Sequence, residues 1–353
     1  MKGFLVFLAL LLMMAAGAAG YWWWHEHRLT TFAATPAGPA GVKEVLIPPG
    51  SGPRSVANLL AREGVISDAD LFYGWLRREQ LGPKLKAGEY EFTLPTTPAD
   101  VAQKLITGQQ KAYHVTIPEG LRVDETLPLL AASPLKLRLE KLIALAADPA
   151  FVRKLGVPAD RLEGFLYPDT YSFTHGYTEE SVLAKMVSRT LEELKAATAQ
   201  RKPEVTLTPL QTVTLASIVE KETGAPDERP RIACLFYNRL RIGMPLQTDP
   251  TVLYAMMLLR GKFVKNITKA DLTTPHPYNT YTVKGLPPGP IASPGAASLR
   301  AVTQPATCSD LYFVSKNDGT HVFCPNLQCH NAAVQTWQVD YWAKQRRNGQ
   351  SGH

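Results

Sequence analysis

Between Phe4 and Trp24 the chain carries no charged residue. Wound as a helix that run is about 31 Å long, close to the roughly 30 Å of a bilayer core. Lys2 is the sole positive charge ahead of it, so charge asymmetry says little about orientation. Tyr21, Trp22, Trp23 and Trp24 close the run, as aromatic side chains do at a membrane interface. Ala16, Gly17 and Ala18 offer the competing reading of a cleaved signal peptide. Three consecutive tryptophans just past a cleavage point are hard to explain, which favours a retained anchor over residues 1–28. Both readings export the rest of the chain.

Cysteine is scarce, with four in 353 residues. Cys234 lies in the apolar run Ile232–Phe236 and reads as a buried core thiol. Cys308, Cys324 and Cys329 suit a disulfide in an oxidising compartment, with free thiols as the alternative. Cys324 and Cys329 have His321 and His330 nearby, but the paired spacing of a zinc site is missing, so no metal is expected. Charged residues are 20% of the chain, a normal globular share that argues against disorder. The net charge of +7 favours anionic partners, yet no nucleic-acid module is recognisable and an exported chain would not meet that ligand.

The small, Pro- and Gly-containing stretch from Thr30 to Gly41 reads as a linker, taken as 29–41. An internal echo follows. VLIPPGSGPRSVANLLA from Val45 and VTIPEGLRVDETLPLLA from Val115 match at seven of seventeen positions with an offset of 70. Each predicts a strand, a turn and a helix. A weaker copy starts at Tyr90, with a helix around Val101 and Leu105. Repeated use of one module and chance convergence on a common grammar both account for this. Helices are expected over 135–147 and 181–200, around the turn-rich RLEGFLYPDTYSF, and again in IACLFYNRL. LYFVSK and HVF, joined at Asn317, Asp318 and Gly319, predict a hairpin, and the polar tail beyond Trp342 is expected to fray.

One helix is unusually well bounded. In TPLQTVTLASIVEKETG, Thr208 is the N-cap, Pro209 suits the first position, Gln211 completes a capping box and Gly224 is a natural stop. The helix is apolar around most of its circumference and should be buried. A carboxylate in it, Glu220, is costly to ionise unless paired. Glu222 points about 200° away, so the two cannot flank one glycosidic bond. Glu222 then reads as structural, paired with an arginine. The bland reading of Glu220 itself is a buried ion pair with Arg239 or Arg241.

ASIVEKET, FYNRLRIGMPLQTDPTVLYA and YNTYTVKGLPPGPIASPGAASLRAV together resemble the endolytic murein transglycosylase (YceG-like) family. LEGFLYPDTYSF, the late hairpin and the His330–Asn331 pair fit the same pattern. The resemblance implies an α+β chain: the transmembrane anchor, a small LysM-like α/β subdomain over 42–110, a larger mixed α+β catalytic domain over 111–345, and a polar tail over 346–353. It implies Glu220 as the catalytic residue, no cofactor, and lytic cleavage of the MurNAc-β-1,4-GlcNAc bond of nascent peptidoglycan strands, leaving 1,6-anhydroMurNAc ends and terminating elongation. It places the enzyme in the inner membrane as a single-pass protein facing the periplasm, and suggests penicillin-binding proteins as neighbours.

One carboxylate suffices for that reaction. It protonates the leaving oxygen, then takes the proton of the muramic 6-hydroxyl, whose tethered attack has a high effective molarity. Supporting residues are expected at Gln247 in the polar turn LQTDPT, and at Tyr278, Asn279 and Tyr281 for stacking and amide contacts. Ser217, on the Glu220 face of its helix, and Glu163 complete the candidate substrate-binding set. Asp249 before Pro250 reads as a helix N-cap. The rival functions are a hydrolytic peptidoglycan glycosidase, which needs a second carboxylate and a held water, and a non-catalytic glycan-binding scaffold.

Overall fold

A computed structural model describes residues 2–350, which separate into two units. The first comprises residues up to Tyr113 together with Ser172–Tyr177. It holds α1 (Lys2–Ala34), β1 (Ala37–Ile47), α2 (Pro53–Arg62), α3 (Ala69–Arg78), β2 (Gly88–Thr96) and α4 (Pro98–Thr107). Helix α1 is, among the described residues, the one helix long and apolar enough to cross a membrane. It continues through much of the expected linker because Leu29, Phe32 and Ala33 are buried in this unit's core. Arg78 adds a 2.8 Å contact to Glu26, beyond the apolar run. What remains of the linker is short, and Ala37 already opens β1.

Strands β1 and β2 are antiparallel, with Val45 opposite Tyr90 and Ile47 opposite Gly88. Their inward faces pack with Val56, Leu60, Phe72 and Leu105 from the three helices. Two of the echoed strand–turn–helix segments are thus present here as β1–α2 and β2–α4.

The second unit runs from His114 to Tyr171 and from Thr178 onward. Strands β3 (Ala112–Thr116) and β4 (Thr170–Thr174) form a two-stranded sheet. Next to β3 come α5 (Val123–Ala131), α6 (Leu139–Ala147) and α7 (Pro149–Lys154), so β3–α5 is the remaining echo. After β4 follow α8 (Glu179–Ala199), α9 (Pro209–Glu222), α10 (Arg229–Arg241), α11 (Asp249–Arg260), α12 (Lys269–Thr273) and α13 (Ala296–Thr303). The hairpin of β5 (Tyr312–Ser315) and β6 (His321–Cys324) precedes α14 (Leu327–Val334), a π-helical turn and α15 (Tyr341–Gln350). The end of the chain expected to fray is helical as far as Gln350, and residues 351–353 lie outside the described residues.

The centre of this unit is α9, packed against α10, α11 and α13. Its N-terminus has the expected form: Thr208 Oγ accepts from the Gln211 N–H, and Gln211 Oε1 accepts from the Thr208 N–H. The helix stops at Glu222 because Thr223 turns extended, with φ −141°, one residue before the expected glycine. Thr212, Val213, Thr214, Ile218 and Val219 are weak helix formers, each costing a few tenths of a kcal/mol. Burying an Ile or Val side chain returns about 1.5–3 kcal/mol, and all five residues are buried. Packing therefore decides the conformation.

Two disulfides pin the unit, Cys234–Cys308 and Cys324–Cys329. Cys234 is buried as expected but is not a thiol: its place on α10 faces the segment after α13, where Cys308 meets it. The Cys324–Cys329 bond also consumes the two sulfurs that a zinc ion would have needed.

Candidate active site

Glu220 lies in the last turn of α9 with its side chain 5% exposed. Its Oε1 accepts a 2.8 Å hydrogen bond from Arg229 Nη2, and its Oε2 accepts from the Gly295 N–H at 3.0 Å. The ion pair is real, but its partner is Arg229 at the start of α10, not Arg239 or Arg241. Arg239 instead donates to the carbonyls of Leu311 and Leu246, and Arg241 to Asn238. Arg229 is 9% exposed and its Nη2 also lies 3.9 Å from Oε2 of Glu119, a half-exposed residue in the turn after β3. A second carboxylate therefore stands across the same guanidinium, and sequence reasoning missed it.

Four segments build this corner. Gly120, with φ +75°, reverses the chain just after Glu119. Its N–H donates to the Ser293 carbonyl and its carbonyl accepts from Lys221 Nζ. Ser293 N–H donates back to the Leu121 carbonyl, tying the turn to the proline-rich loop before α13. A Cβ on Gly295 in that loop would lie 1.9 Å from Glu119 Oε1, so the Glu119 carboxylate sits where a larger residue would push it aside.

Ser217 is engaged inside the fold. It is fully buried, donates to the Thr214 carbonyl and accepts from the Ile291 N–H at 3.0 Å, so its hydroxyl fastens the proline-rich loop to α9. Asn279 is also fully buried. Its Nδ2 donates to the carbonyls of Asp271, Leu272 and Thr274, and its Oδ1 accepts from the Tyr281 N–H. The amide that was expected to read a sugar is spent on holding a turn.

Three open cavities in this unit share one wall residue, Tyr254. The first, of about 200 Å³, is bounded by Lys221, Ile291, Arg122 and Pro250. The next, of about 530 Å³, has Glu163, Tyr278, Arg161 and Pro288–Pro290 on its sides. The third, of about 420 Å³ and more apolar, is walled by Glu163 together with residues of α5, α6 and α11. The three cavities thus share Tyr254, with Lys221, the chain neighbour of Glu220, bordering the first and Glu163 bordering the other two. Gly164, with φ +81°, lets the Glu163 turn press on the loop, since a Cβ there would come within 2.3 Å of Pro290.

Glu163 accepts from the Val123 N–H and the Tyr254 hydroxyl, each at 3.2 Å. Burial pushes its carboxyl up to about 7 despite those bonds. The Tyr254 and Tyr278 rings stand 4.9 Å apart, and burial raises both hydroxyls. Tyr278 and Glu163 are therefore brought to one cavity.

Gln247 and Tyr281 lie elsewhere, around the start of α11. Gln247 is exposed in the left-handed region, φ +50°, and its N–H donates to the Thr280 carbonyl. Tyr281 donates to Asp249 Oδ1 at 2.7 Å. Asp249 is the first residue of α11 rather than its cap; Thr248 takes the cap position without a side-chain bond. Glu222 faces this second group. Burial pushes it up to about 8, Asp249 adds to the rise, and Arg239 opposes it. No direct bond to Arg239 forms, because that guanidinium is committed to backbone carbonyls.

A buried carboxylate held by an arginine and a backbone N–H, whose chain neighbour Lys221 borders a cavity, suits proton transfer. Comparison with known proteins agrees. The YceG-like family model matches residues 45–336. The endolytic murein transglycosylase of Bacillus subtilis is 32% identical over 308 residues, covering 82% of this chain and 83% of the relative. The protein of that name from Streptococcus pneumoniae D39 is 30% identical over 94% of this chain, which spans 64% of the longer relative. The crystal structure of a yceG-like protein from Listeria monocytogenes superposes with a TM-score of 0.55 at 31% identity, over 83% of this chain and 99% of that one. The fold, the placement of the ASIVEKE helix and these relatives together show that the chain belongs to the YceG-like family.

Proposed function

We propose that this chain is an endolytic lytic transglycosylase of peptidoglycan, cutting the MurNAc-β-1,4-GlcNAc bond of nascent strands with Glu220 as both acid and base. The observation that carries the reading is the Glu220 carboxylate, buried at the end of α9 and reached by Arg229 and the Gly295 N–H. Protonated, it gives its proton to the glycosidic oxygen. As a carboxylate, stabilised by Arg229 and the Gly295 N–H, it removes the proton of the muramic 6-hydroxyl, which closes on the anomeric carbon as the 1,6-anhydro ring. Tyr254, Tyr278 and Glu163, which line the cavities, bind sugar and N-acetyl groups, and Gln247 offers a separate exposed contact in the turn before α11. No cofactor enters the scheme.

Helix α1 is read as a single-pass anchor in the inner membrane, with the second unit on the periplasmic side. The strand–helix order of the first unit supports its LysM-like reading as a glycan-binding module. Penicillin-binding proteins are the neighbours this placement favours. The test is Glu220→Gln in the full-length protein. Cleavage of un-crosslinked glycan strands is expected to vanish while the circular dichroism spectrum and unfolding temperature are kept. Turnover close to wild type in a folded variant contradicts the assignment.

Glu119 favours one second reading. A carboxylate across Arg229 from Glu220 is the partner a hydrolytic glycosidase uses to activate water. Reducing ends in the products would select that reading, and anhydro ends the first.

A further inference from the structure

Glu220 has to carry a proton at the start of the reaction, yet Arg229 Nη2 lies 2.8 Å from its carboxylate. The arrangement around Arg229 offers a way out. Nη2 is 2.8 Å from Glu220 and 3.9 Å from Glu119, and Nε has no hydrogen-bond partner among the described residues although it is buried. The guanidinium is thus held through one end only, between an enclosed carboxylate and a solvent-facing one.

We propose that Glu119 is a positioning residue that takes Arg229 while Glu220 is protonated and returns it when Glu220 becomes a carboxylate. The inference rests on Glu220 being the acid and base. With the proton on Glu220, the attraction to Arg229 drops and the ionised Glu119 draws the guanidinium over. Transfer of the proton to the glycosidic oxygen leaves a charge on Glu220, and Arg229 moves back onto it. When Glu220 takes the 6-hydroxyl proton, Arg229 shifts to Glu119 again. One proton enters and one leaves the carboxylate, and no other group changes protonation.

The other charged groups nearby are engaged elsewhere or exposed: in the turn just before Arg229, Glu228 accepts from the His321 N–H and pairs with His321 Nδ1 at 2.6 Å, and Asp227 is exposed. From α9 itself, Lys221 is tied to the Gly120 carbonyl. Glu222 borders Asp249 and Arg239 instead. On α10, Arg231 pairs with Asp310 and Arg239 with carbonyls. On α11, Asp249 is engaged by Tyr281 and Arg260 by Asp271. The single charge on α13, Arg300, is exposed, and the loop at Ser293–Gly295 presents a backbone N–H without charge.

The test is the pH dependence of kcat on un-crosslinked glycan strands, measured with the full-length protein. Activity is lost on the alkaline side as Glu220 gives up its proton. Glu119→Gln leaves Arg229 wholly on Glu220, so the alkaline limb is expected to move down by on the order of one pH unit, with the plateau lowered less than in Arg229→Gln. Arg229→Gln removes the cation and is expected to move the limb the other way while lowering the plateau roughly tenfold or more. Arg229→Lys keeps the charge and should place the limb closer to wild type. Gly295→Ala keeps the N–H to Glu220 but puts a methyl where the Glu119 carboxylate sits, so it should copy the direction of Glu119→Gln without removing a charge.

Superimposable profiles for wild type, Glu119→Gln and Gly295→Ala overturn the proposal. So does loss of the plateau with Glu119→Gln, which marks Glu119 as a base acting on water. Glu220→Gln is run alongside: an active Glu220→Gln removes the reading of the site itself, a result separate from the others.

Discussion

The Ile291 N–H donates to Ser217 Oγ at 3.0 Å, and this bond joins the helix bearing Glu220 to the loop bearing Gly295. Two fully buried groups depend on it, so the alignment of the Gly295 N–H with Glu220 depends on it too. Ser217→Ala is expected to cost about 1–3 kcal/mol, the range for orphaning a buried donor. The same variant should lower kcat more than it raises KM, because the loop shifts at the acid rather than along the groove. Denaturant unfolding and steady-state kinetics check both parts; unchanged stability means the loop is held by other contacts.

Glu163 sets a pH dependence of stability. Its carboxyl is raised to about 7 in the folded protein by burial, above the ordinary value of 4.5. Between those values the folded chain holds a proton that the unfolded chain has released, so stability falls as pH rises. The contribution is fully present below about pH 4.5 and is lost as pH passes through about 7. Glu163→Gln keeps a neutral side chain of the same shape and should flatten this fall by about 1–3 kcal/mol between pH 5 and 8. Parallel stability curves for the two proteins contradict the raised carboxyl.

The two disulfides should differ in weight. Cys234–Cys308 closes 74 residues of chain, while Cys324–Cys329 closes five. On loop entropy alone the first is worth about 4 kcal/mol and the second about 2. Replacing Cys234 and Cys308 together by serine should therefore lower the unfolding temperature more than replacing Cys324 and Cys329, with the reduced wild type lower than either. Equal effects mean that the unfolded chain is already compact around Cys234.

Much of the site's frame was legible in the residues. Thr208, Pro209 and Gln211 announce the start of α9 because capping is local chemistry. The burial of Glu220 followed from the apolar circumference of that helix, whereas its choice as the acid came from the resemblance of ASIVEKE to a family motif. What failed depended on distance along the chain. Arg229 lies beyond a turn that a helical wheel does not reach. Glu119 is 101 positions from Glu220, although the echoed segments held a clue: the IPPG of the first copy becomes IPEG in the second, placing Glu119 where Pro49 stood. Asn279 and Ser217 carry the polar groups a sugar would need, but their hydrogen bonds go to carbonyls of Asp271, Leu272, Thr274 and Thr214, partners that only folding brings near. Cys234 was placed in the core correctly, and its bond to Cys308 depended on how α10 meets the segment after α13.

The route taken by oxygen during cleavage tests the central claim most directly. Un-crosslinked glycan strands digested by the full-length protein in water enriched in heavy oxygen, with mass spectrometry of the new muramic ends, report which nucleophile attacked. If the 6-hydroxyl attacks under the control of Glu220, the ends are one water lighter than a reducing sugar, carry no label, and are absent with Glu220→Gln. Labelled reducing ends contradict the intramolecular attack, and unlabelled anhydro ends from the Glu220→Gln protein contradict the role of that carboxylate.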